Sequence, residues 1–589
     1  MMNIINSKKN SRKKITILLL CFAAVTSALF FLIFNESSFG LLRQLLQIDF
    51  ISDSRAARIN KIISIFGVTV FFLLLYLAYP TKLLNCLIIF NKNKNRNTIF
   101  FFFIIILMFS LRNINNPNFW FDESGQIWMS LGLNHFTPPF SSLGALKDVY
   151  LNNNVYNLDP GGFTYLLRLW MSLGESPAFI RTLPFLFSIG TIALSGYLLR
   201  TNFTQSRLVI FSPLVFLGSP LFTQYSFELR AYSFEMLVAL SALTLALRSK
   251  KILESTVSSV VVGLWLALGL SSRYSSIFPI VLAIVFVTFD AIKSNKKNIY
   301  LNLSLIVFPI LLSATLIFIC VLSKQNPGGE PPSYVSDLLL FNRGFFGVFF
   351  APWAILVWLP VVLLLIVSVR LKNNHYLQRY VAYSLSLLLT LVVASALNKY
   401  PLGFHTRFDI SIHSVYWFGW ALLLSLLISR ASRLLSNEKY LFLVSYLAAI
   451  LVILASFARY QPNDSIYEIF DSCYVYTEKN LILANEGSMP TVKYIFELGP
   501  LKSFDHIYAG IDFFSEGRPS NVTAVPSENI NIDNYNYFLF SHFDKDGEIY
   551  SKITISSDFI RCDTKGPSEM YFRAATNHSN KIGLIERTN

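Results

Sequence analysis

Long uninterrupted apolar runs are the feature that most limits how this chain can fold. Residues 15–34 and 441–457 are two examples, and we count thirteen such runs, which begin near positions 15, 61, 98, 178, 207, 230, 254, 274, 299, 351, 376, 410 and 437. A helix needs about 20 apolar residues to cross the hydrocarbon core of a bilayer. Only 14% of the 589 residues are charged, whereas soluble proteins carry roughly a quarter. The sequence therefore predicts a polytopic α-helical membrane protein with about thirteen transmembrane helices.

The connections between these runs alternate in charge. Every second one is rich in Lys and Arg: "KKNSRKK", "NKNKNR", residues 200–207, "RSKK", "KSNKK", "RLKNNHYLQR" and "SRASRLLSNEK". Basic loops remain on the cytoplasmic side of a membrane, so we expect the N-terminus inside and the C-terminus outside. The basic start precedes a full-length apolar run without a clean cleavage site, which indicates a retained first helix.

The net charge of +15 follows from this topology and does not indicate a nucleic-acid partner. Residues 459–589 carry 12 Lys and Arg against 18 Asp and Glu, so the excess of basic residues lies in the membrane part. No Cys and His residues have the spacing of a zinc site, and no glycine-rich phosphate loop is present.

Three parts follow from these patterns. Residues 1–97 form N-terminal helices and a cytosolic loop, residues 98–458 a transmembrane module with a long outer loop at 112–177, and residues 459–589 a soluble extracytoplasmic domain. In that tail, short apolar runs ("CYVYT", "NLILA", "YFLFSHF", "KITISS") alternate with a helix-like "MPTVKYIFEL", which predicts a small α/β domain. The tail also holds Cys473 and Cys562, and whether they form a disulfide stays open. Within the outer loop, "GGFTYLLRLWMSLG" is too short to cross, so we expect a helix at the outer surface.

The charged residues next to the apolar runs collect on the outer side of this topology. They include the acidic pair of "NFWFDESGQIWMSLG" and several arginines. Arginine side chains bind phosphate oxygens, and a carboxylate can act as general base toward a hydroxyl or amine. This mixture at a membrane boundary is typical of a site for a phosphorylated, lipid-linked ligand. The candidates are Asp122, Glu123, Asp159, Glu228, Arg230, Tyr232, Arg273, His405, Arg407 and Asp409.

Each candidate also has a simpler interpretation. Asp122 could cap a helix that begins at Glu123, and Asp159 could start a helix whose first residue is Pro160. The arginines could be interface anchors whose charged ends reach water. Glu235, one turn inside an apolar run, could be a buried hydrogen-bonding group.

The order of four segments resembles one superfamily of membrane enzymes. These segments are "FDES", "DPGGFTYLLRLWMSLGESPAFIRTLPFLFS", "QYSFELRAYSFEML" and "SSRYS". Together they are similar to bacterial members of the GT-C superfamily, in particular the group of protein O-mannosyltransferases and lipid A aminoarabinose transferases. The resemblance covers roughly residues 98–460. It implies transfer of a single hexosyl or pentosyl unit from a polyprenyl-phosphate donor, with inversion, at the outer face of the cytoplasmic membrane.

The resemblance also implies roles for individual residues. Asp122 would be the catalytic base, with Glu123 its neighbour in the site. Asp159 and Pro160 lie where many relatives have His-Pro-Pro or Lys-Pro-Pro, so a phosphate-binding role there is in doubt and Asp159 becomes a second carboxylate. The donor phosphate would be bound with help from the Glu-x-Arg-x-Tyr element and later arginines, namely Glu228, Arg230, Tyr232, Arg273 and Arg407.

The partners implied are membrane lipid, the polyprenyl-phosphate sugar and an acceptor that is a protein, a lipid or a glycan. We expect no cofactor, since arginines can neutralise the leaving phosphate. A divalent metal held by acidic pairs, as in related oligosaccharyl transferases, is the alternative. The alternative functions are a transporter or flippase for a lipid-linked sugar and a glycan polymerase or ligase; a transporter often shows repeated halves and ionisable groups near mid-membrane.

Overall fold

The computed structural model describes the chain in separate stretches. These are residues 119–133, 144–322 apart from 158, 203–206 and 295–296, then 352–370, 374–397 and 410–434, with short tail segments at 480–484, 491–492, 494–495, 506–512, 525–526, 537–540, 553–556, 559–562 and 569–573. The predicted spans near 15, 61, 98 and 437 lie outside the described residues, as do His405, Arg407, Asp409 and Cys473.

Three short helices come first and are followed by a bundle of long ones. The short helices are α1 (Phe121–Ser130), α2 (Leu146–Tyr156) and α3 (Gly162–Met171). The long ones, together with the six-residue α5, are α4 (Pro177–Asn202), α5 (Pro220–Tyr225), α6 (Tyr232–Leu253), α7 (Thr256–Ser272), α8 (Ile277–Ser294), α9 (Lys297–Ile317), α10 (Pro352–Arg370), α11 (His375–Ala396) and α12 (Ile410–Leu434).

The long helices begin close to the predicted positions, with one exception. The apolar run from residue 207 was expected to be a regular transmembrane helix. It is instead a 3-10 helix over Arg207–Gly218, followed after Ser219 by the short α5. Two prolines, Pro213 and Pro220, lie in this stretch and lack the backbone N–H that α-helical hydrogen bonding uses, whereas α4, α9 and α10 each continue through a single internal proline. The segment that we expected to be too short to cross is the ten-residue α3, about 15 Å long.

Helix α6 lies at the centre of the bundle and packs against α4, α7, α8, α11 and α12. Nearly all of its first four turns are buried, including Phe234, Val238 and Leu245, as expected for a helix that is apolar all round. Helices α7 and α9 are also closely packed, because a Cβ atom on Gly263 would lie only 2.7 Å from the backbone oxygen of Leu305. A glycine is therefore needed at this crossing.

Five segments are long and apolar enough to cross a membrane, among the residues that the structure describes. They are Pro177–Asn202, Tyr274–Ser294, Asn298–Leu322, His375–Ser395 and Ile410–Ser429. On α9, Leu301, Phe308 and Leu311 are each more than half exposed. A ridge of large exposed apolar side chains on a helix of this length suits contact with lipid. The chain is thus a polytopic helical membrane protein.

The tail contains a six-stranded mixed sheet. Its strands are β1 (Asn480–Ala484), β2 (His506–Asp512), β3 (Val525–Pro526), β4 (Tyr537–Phe540), β5 (Phe559–Cys562) and β6 (Glu569–Arg573). The order across the sheet is β3-β2-β1-β4-β6-β5. The first four in that order are parallel, and β6 and β5 complete the sheet in antiparallel pairs.

Sequence patterns in the tail identified some of these elements. "NLILA" and the start of "YFLFSHF" are strands β1 and β4, and the described part of "MPTVKYIFEL" is helical. The prediction of a strand at "KITISS" is wrong, since residues 553–555 form a helical turn. That four-residue alternation was too short to distinguish a strand from a turn.

Candidate active site

Helix α1 carries the acidic pair in its first turn, where carboxylates interact favourably with the helix dipole. The helix begins at Phe121, and its N-cap is Trp120. The Glu123 side chain accepts a hydrogen bond from the Trp120 N–H at 3.3 Å. The alternative that Asp122 caps a helix starting at Glu123 is therefore wrong, because Asp122 lies inside the first turn and is half-buried.

Glu123 is held in a buried ion pair. Its two carboxylate oxygens accept hydrogen bonds from Nη1 and Nη2 of Arg181 at 3.0 and 3.1 Å, and both side chains are less than 5% exposed. The Leu229 N–H donates to the same carboxylate at 2.8 Å, and Arg181 also donates to the Phe227 carbonyl at 3.0 Å. Burial raises the pKa of Glu123, while Arg181 and the backbone N–H groups lower it. Glu123 thus ties α1 to the start of α4 and to the loop before α6.

We expect Arg181→Met to destabilise the protein strongly, because it leaves a buried carboxylate without its cation. The cost should be about 3–5 kcal/mol, and thermal unfolding of the purified protein in detergent would measure it. A matched control is Arg379→Met, which breaks a second arginine–carboxylate pair, with Asp290, whose arginine is 24% exposed. An equal loss in both variants would contradict the structural importance assigned to the Glu123 pair.

The segment between α5 and α6 contributes Glu228 and Arg230. Both precede α6, which begins at Tyr232. Burial alone would lower the pKa of Arg230, but the nearby Asp122, and then Tyr232, raise it above its usual value. Among the described residues, the Arg230 side chain has no ion-pair partner, and its Nε is buried without a hydrogen bond. Arg230 is therefore a fixed cation that is open to a ligand.

Glu228 is a second buried carboxyl in this segment. It is 5% exposed, and its Oε2 atom has no hydrogen-bond partner in the described part of the chain. Burial raises the pKa of Glu228 well above its usual value, and the neighbouring Glu123 and Asp122 raise it further. Glu228 therefore differs from Glu123, whose carboxylate is ion-paired with Arg181.

Arg273 joins two other carboxylates. It lies just after α7, and its Nη1 donates to Oδ2 of Asp159 at 3.0 Å. Its Nε atom pairs with Oε2 of Glu235, and the guanidinium stacks over the Tyr232 ring at 4.5 Å. Glu235 is 1% exposed and also accepts hydrogen bonds from the hydroxyls of Ser275 and of Ser411 in α12. The expectation that Glu235 is a buried hydrogen-bonding group is confirmed.

A buried polar network holds the loop that carries Asp159. Gln126 of α1 donates to the Thr164 hydroxyl at 2.8 Å, and that hydroxyl donates to Asn153 at 2.7 Å. Asn153 in turn donates to the backbone carbonyl of Asp159 at 2.9 Å, and Asn157 accepts from the Asp159 N–H at 3.3 Å. These bonds fix the loop relative to α1, α2 and α3.

The path of the chain after Asp159 differs from the expected one. Helix α3 begins at Gly162, with Gly161 as its N-cap, so the alternative in which Asp159 starts a helix with Pro160 first is wrong. Gly161 has a φ of +97°, a conformation that favours glycine. Because Gly161 is the N-cap of α3, Asp159 does not cap that helix and instead pairs with Arg273.

The structure gathers most of the sequence candidates at one end of the bundle. The N-terminal turns of α4 and α6 lie there and carry Arg181 and Glu235, respectively. Helix α7 ends there, directly before Arg273. A separate ionic cluster of Ser249, Asp290 and Arg379 lies toward the other end of α6. The site candidates brought together are Asp122, Glu123, Asp159, Glu228, Arg230, Tyr232 and Arg273.

Sequence reasoning did not single out Arg181 or the amide network. Arg181 lies one turn inside an apolar run, and an ionisable residue in such a position is a signal for a buried partner. Gln126, Asn153 and Thr164 have no comparable signal, since polar residues in an outer loop are ordinary. Within the described stretches, no three Asp, Glu, His or Cys side chains form a cluster that could hold a metal. The expectation of a metal-independent site stays a prediction.

No protein-family model matches the sequence, and no curated protein matches it. Several solved structures share a distant likeness. ArnT from Cupriavidus metallidurans bound to undecaprenyl phosphate is 12% identical, with a TM-score of 0.49 over 82% of this chain and 99% of that chain. The same protein in the apo state is 10% identical, with a TM-score of 0.47 over 80% and 97% of the two chains.

A third structure is the arabinosyltransferase EmbB from Mycobacterium smegmatis, which is 13% identical, with a TM-score of 0.35 over 54% of this chain and 29% of that chain. Because these three TM-scores are below 0.5, we infer the reaction from the chain's own residues.

Proposed function

We propose that the chain is a membrane glycosyltransferase that moves a single sugar from a polyprenyl-phosphate donor to an acceptor. One observation carries this proposal: Arg230 is a cation with no ion-pair partner among the described residues, next to the half-buried Asp122. A guanidinium open to a ligand suits a phosphate, and a nearby carboxylate suits a hydroxyl or amine that must lose a proton.

The other charges at this end of the bundle are already matched. Arg181 is paired with Glu123, and Arg273 lies between Asp159 and Glu235. A buried charge is costly unless it is paired, so these five side chains are structural supports. Arg230, which has no ion-pair partner among the described residues, is the cation best suited to meet a substrate, with Asp122 nearby.

In the proposed reaction, the donor phosphate binds Arg230, with Arg273 and Tyr232 at the edge of the same site. The acceptor oxygen or nitrogen attacks the anomeric carbon from the face opposite the phosphate, and Asp122 accepts the acceptor's proton. The bond between the anomeric carbon and the phosphate oxygen breaks, and its electron pair leaves with the polyprenyl phosphate. The configuration at the anomeric carbon is thereby inverted. Fixed positive charge aimed at the leaving group is usually the largest catalytic contribution of such a site.

Glu228 has a supporting role in this scheme. The Glu228 Oε2 atom is buried without a hydrogen-bond partner among the described residues, and burial raises the pKa of Glu228 well above its usual value. In its protonated form, a carboxyl group can donate a hydrogen bond to an oxygen of the donor. We therefore assign Glu228 to the donor phosphate and Asp122 to the acceptor.

The charge of the connecting loops supports a location for the reaction. Basic connections on one side of the apolar runs favour a site, and an acidic tail, on the extracytoplasmic side of the cytoplasmic membrane. An acceptor that is a protein, a lipid or a glycan would reach it there. The Arg407 assigned to the donor phosphate lies outside the described residues and stays a prediction.

The test of the proposal is whether membranes that contain the protein cleave a radiolabelled polyprenyl-phosphate sugar. We expect release of polyprenyl phosphate together with labelled acceptor, and no release when Asp122 is replaced. A flippase would move the donor across vesicle membranes and leave it intact, which would overturn the proposal. Transfer of whole glycans from a lipid carrier would instead identify a polymerase or ligase.

A further inference from the structure

A turn of the tail packs directly against the helix that carries Asp122. Residues Thr491, Val492, Tyr494 and Ile495, here called the tail turn, are each no more than 2% exposed. The Thr491 hydroxyl lies 3.3 Å from the Ser124 hydroxyl, which itself donates to the Phe119 carbonyl at 3.3 Å. The tail turn therefore contacts a residue of the first turn of α1, two positions after Asp122.

The second contact is an aromatic one. The Tyr494 ring meets the Phe119 ring edge to face, with centroids 4.8 Å apart and planes at 88°. The Arg181 guanidinium lies over the same Phe119 ring at 4.5 Å. Arg181 in turn binds both oxygens of Glu123. A continuous series of contacts thus runs from the tail through Phe119 and Arg181 to the residue next to Asp122.

We propose that the tail turn is a positioning element of the transferase site, and that Tyr494 acts through Phe119 and Arg181 to hold Asp122 in its reactive place. This inference rests on the proposed function for its effect on catalysis, while the docking itself does not. A soluble domain that only recognised an acceptor would not need a buried contact beneath the catalytic helix. Errors of about 1 Å in the placement of a catalytic group can cost on the order of 10²-fold in rate.

The ring of Tyr494, rather than its hydroxyl, makes the contact. The hydroxyl is buried and has no hydrogen-bond partner among the described residues, and burial raises its pKa. Loss of the hydroxyl should therefore cost little, whereas loss of the ring should remove one support of Phe119. This difference separates the phenylalanine variant from the alanine variant.

The catalytic test compares Tyr494→Ala, Tyr494→Phe and a control in full-length protein. We expect Tyr494→Ala to lower kcat roughly 10- to 100-fold, counted per site that binds polyprenyl phosphate, with an unchanged Kd for that lipid. Tyr494→Phe should restore kcat. The control is Ile555→Ala, since Ile555 is an 85% exposed tail residue outside the tail turn. Wild-type kcat in Tyr494→Ala would overturn the positioning role, and so would a loss of total activity that only equals the loss of lipid-binding sites.

A cross-linking test does not depend on any activity. Ser124→Cys and Thr491→Cys should form a disulfide on mild oxidation of the membrane-embedded protein, because their hydroxyls are 3.3 Å apart. Each single variant is the control for pairing with the native cysteines. Failure of the double variant to cross-link would refute the docking of the tail turn. If the double variant cross-links but the wild-type protein transfers no sugar, the docking is upheld and the proposed function is refuted.

Discussion

Replacement of Asp122 by asparagine should nearly abolish sugar transfer while the protein still folds. Asparagine has the same shape but cannot accept the acceptor's proton, and loss of one general base costs ~10²–10⁴ in rate. Asp122 is half-buried in the first turn of α1, and Glu123 and Ser124 of the same turn connect that helix to α4 and to the tail turn. We therefore expect wild-type abundance, thermal stability and affinity for polyprenyl phosphate, with the loss confined to kcat.

A matched control for this variant is Asp148→Asn. Asp148 also lies in the first turn of a short helix, α2, where its side chain accepts from the Ala145 N–H at 2.7 Å. Transfer should remain at the wild-type level in Asp148→Asn. Turnover in Asp122→Asn that matches the wild type would remove Asp122 from its assigned role, and the base would have to be sought among the remaining carboxylates.

Replacement of Arg230 by glutamine should weaken donor binding. A hydrogen bond to a charged group contributes about 1.5–3 kcal/mol, which corresponds to roughly 10- to 150-fold in Kd. The Kd for polyprenyl phosphate should rise by this factor. The Kd for a phosphate-free polyprenol should be the same in Arg230→Gln as in the wild type. Arg230→Lys should recover part of the affinity, since lysine keeps the charge and loses the planar fork.

Lys147→Gln is the control for the loss of a positive charge. Lys147 is an exposed residue of α2, so any loss of affinity in that variant would reflect the general electrostatic field instead of a specific contact. A donor Kd that is unaffected in Arg230→Gln would contradict the assignment of Arg230 to the phosphate. A drop in kcat alone would place Arg230 at the acceptor side of the site.

Helix positions were largely predictable from the sequence because a bilayer-spanning helix needs a long apolar run, and such a run is visible without knowledge of its neighbours. Helix α6 begins at Tyr232 and α12 at Ile410, close to the starts of the corresponding runs. The break within residues 207–225 was missed, although Pro213 and Pro220 were visible. The hydropathy of this segment predicts one continuous helix, whereas its two prolines disfavour one.

The ends of helices were less predictable than their centres. Acidic residues next to a helix suggested caps at Asp122 and Asp159, and both caps are wrong. Capping depends on the backbone conformation of one residue, which the amino-acid type only biases. At Asp159, the distant Arg273 is the partner of the side chain in place of the local helix start.

The sequence by itself determined which positions carry charge beside the apolar runs, and on which side of a membrane they are expected. The sequence could not assign an ion-pair partner to each of these charged residues. Glu123 and Arg181 are 58 residues apart, and Asp159 and Arg273 are 114 apart. Only the packing of α4, α6 and α7 decides that these charges are paired and that Arg230 is left open, because an ion pair depends on distances and burial that no local pattern encodes.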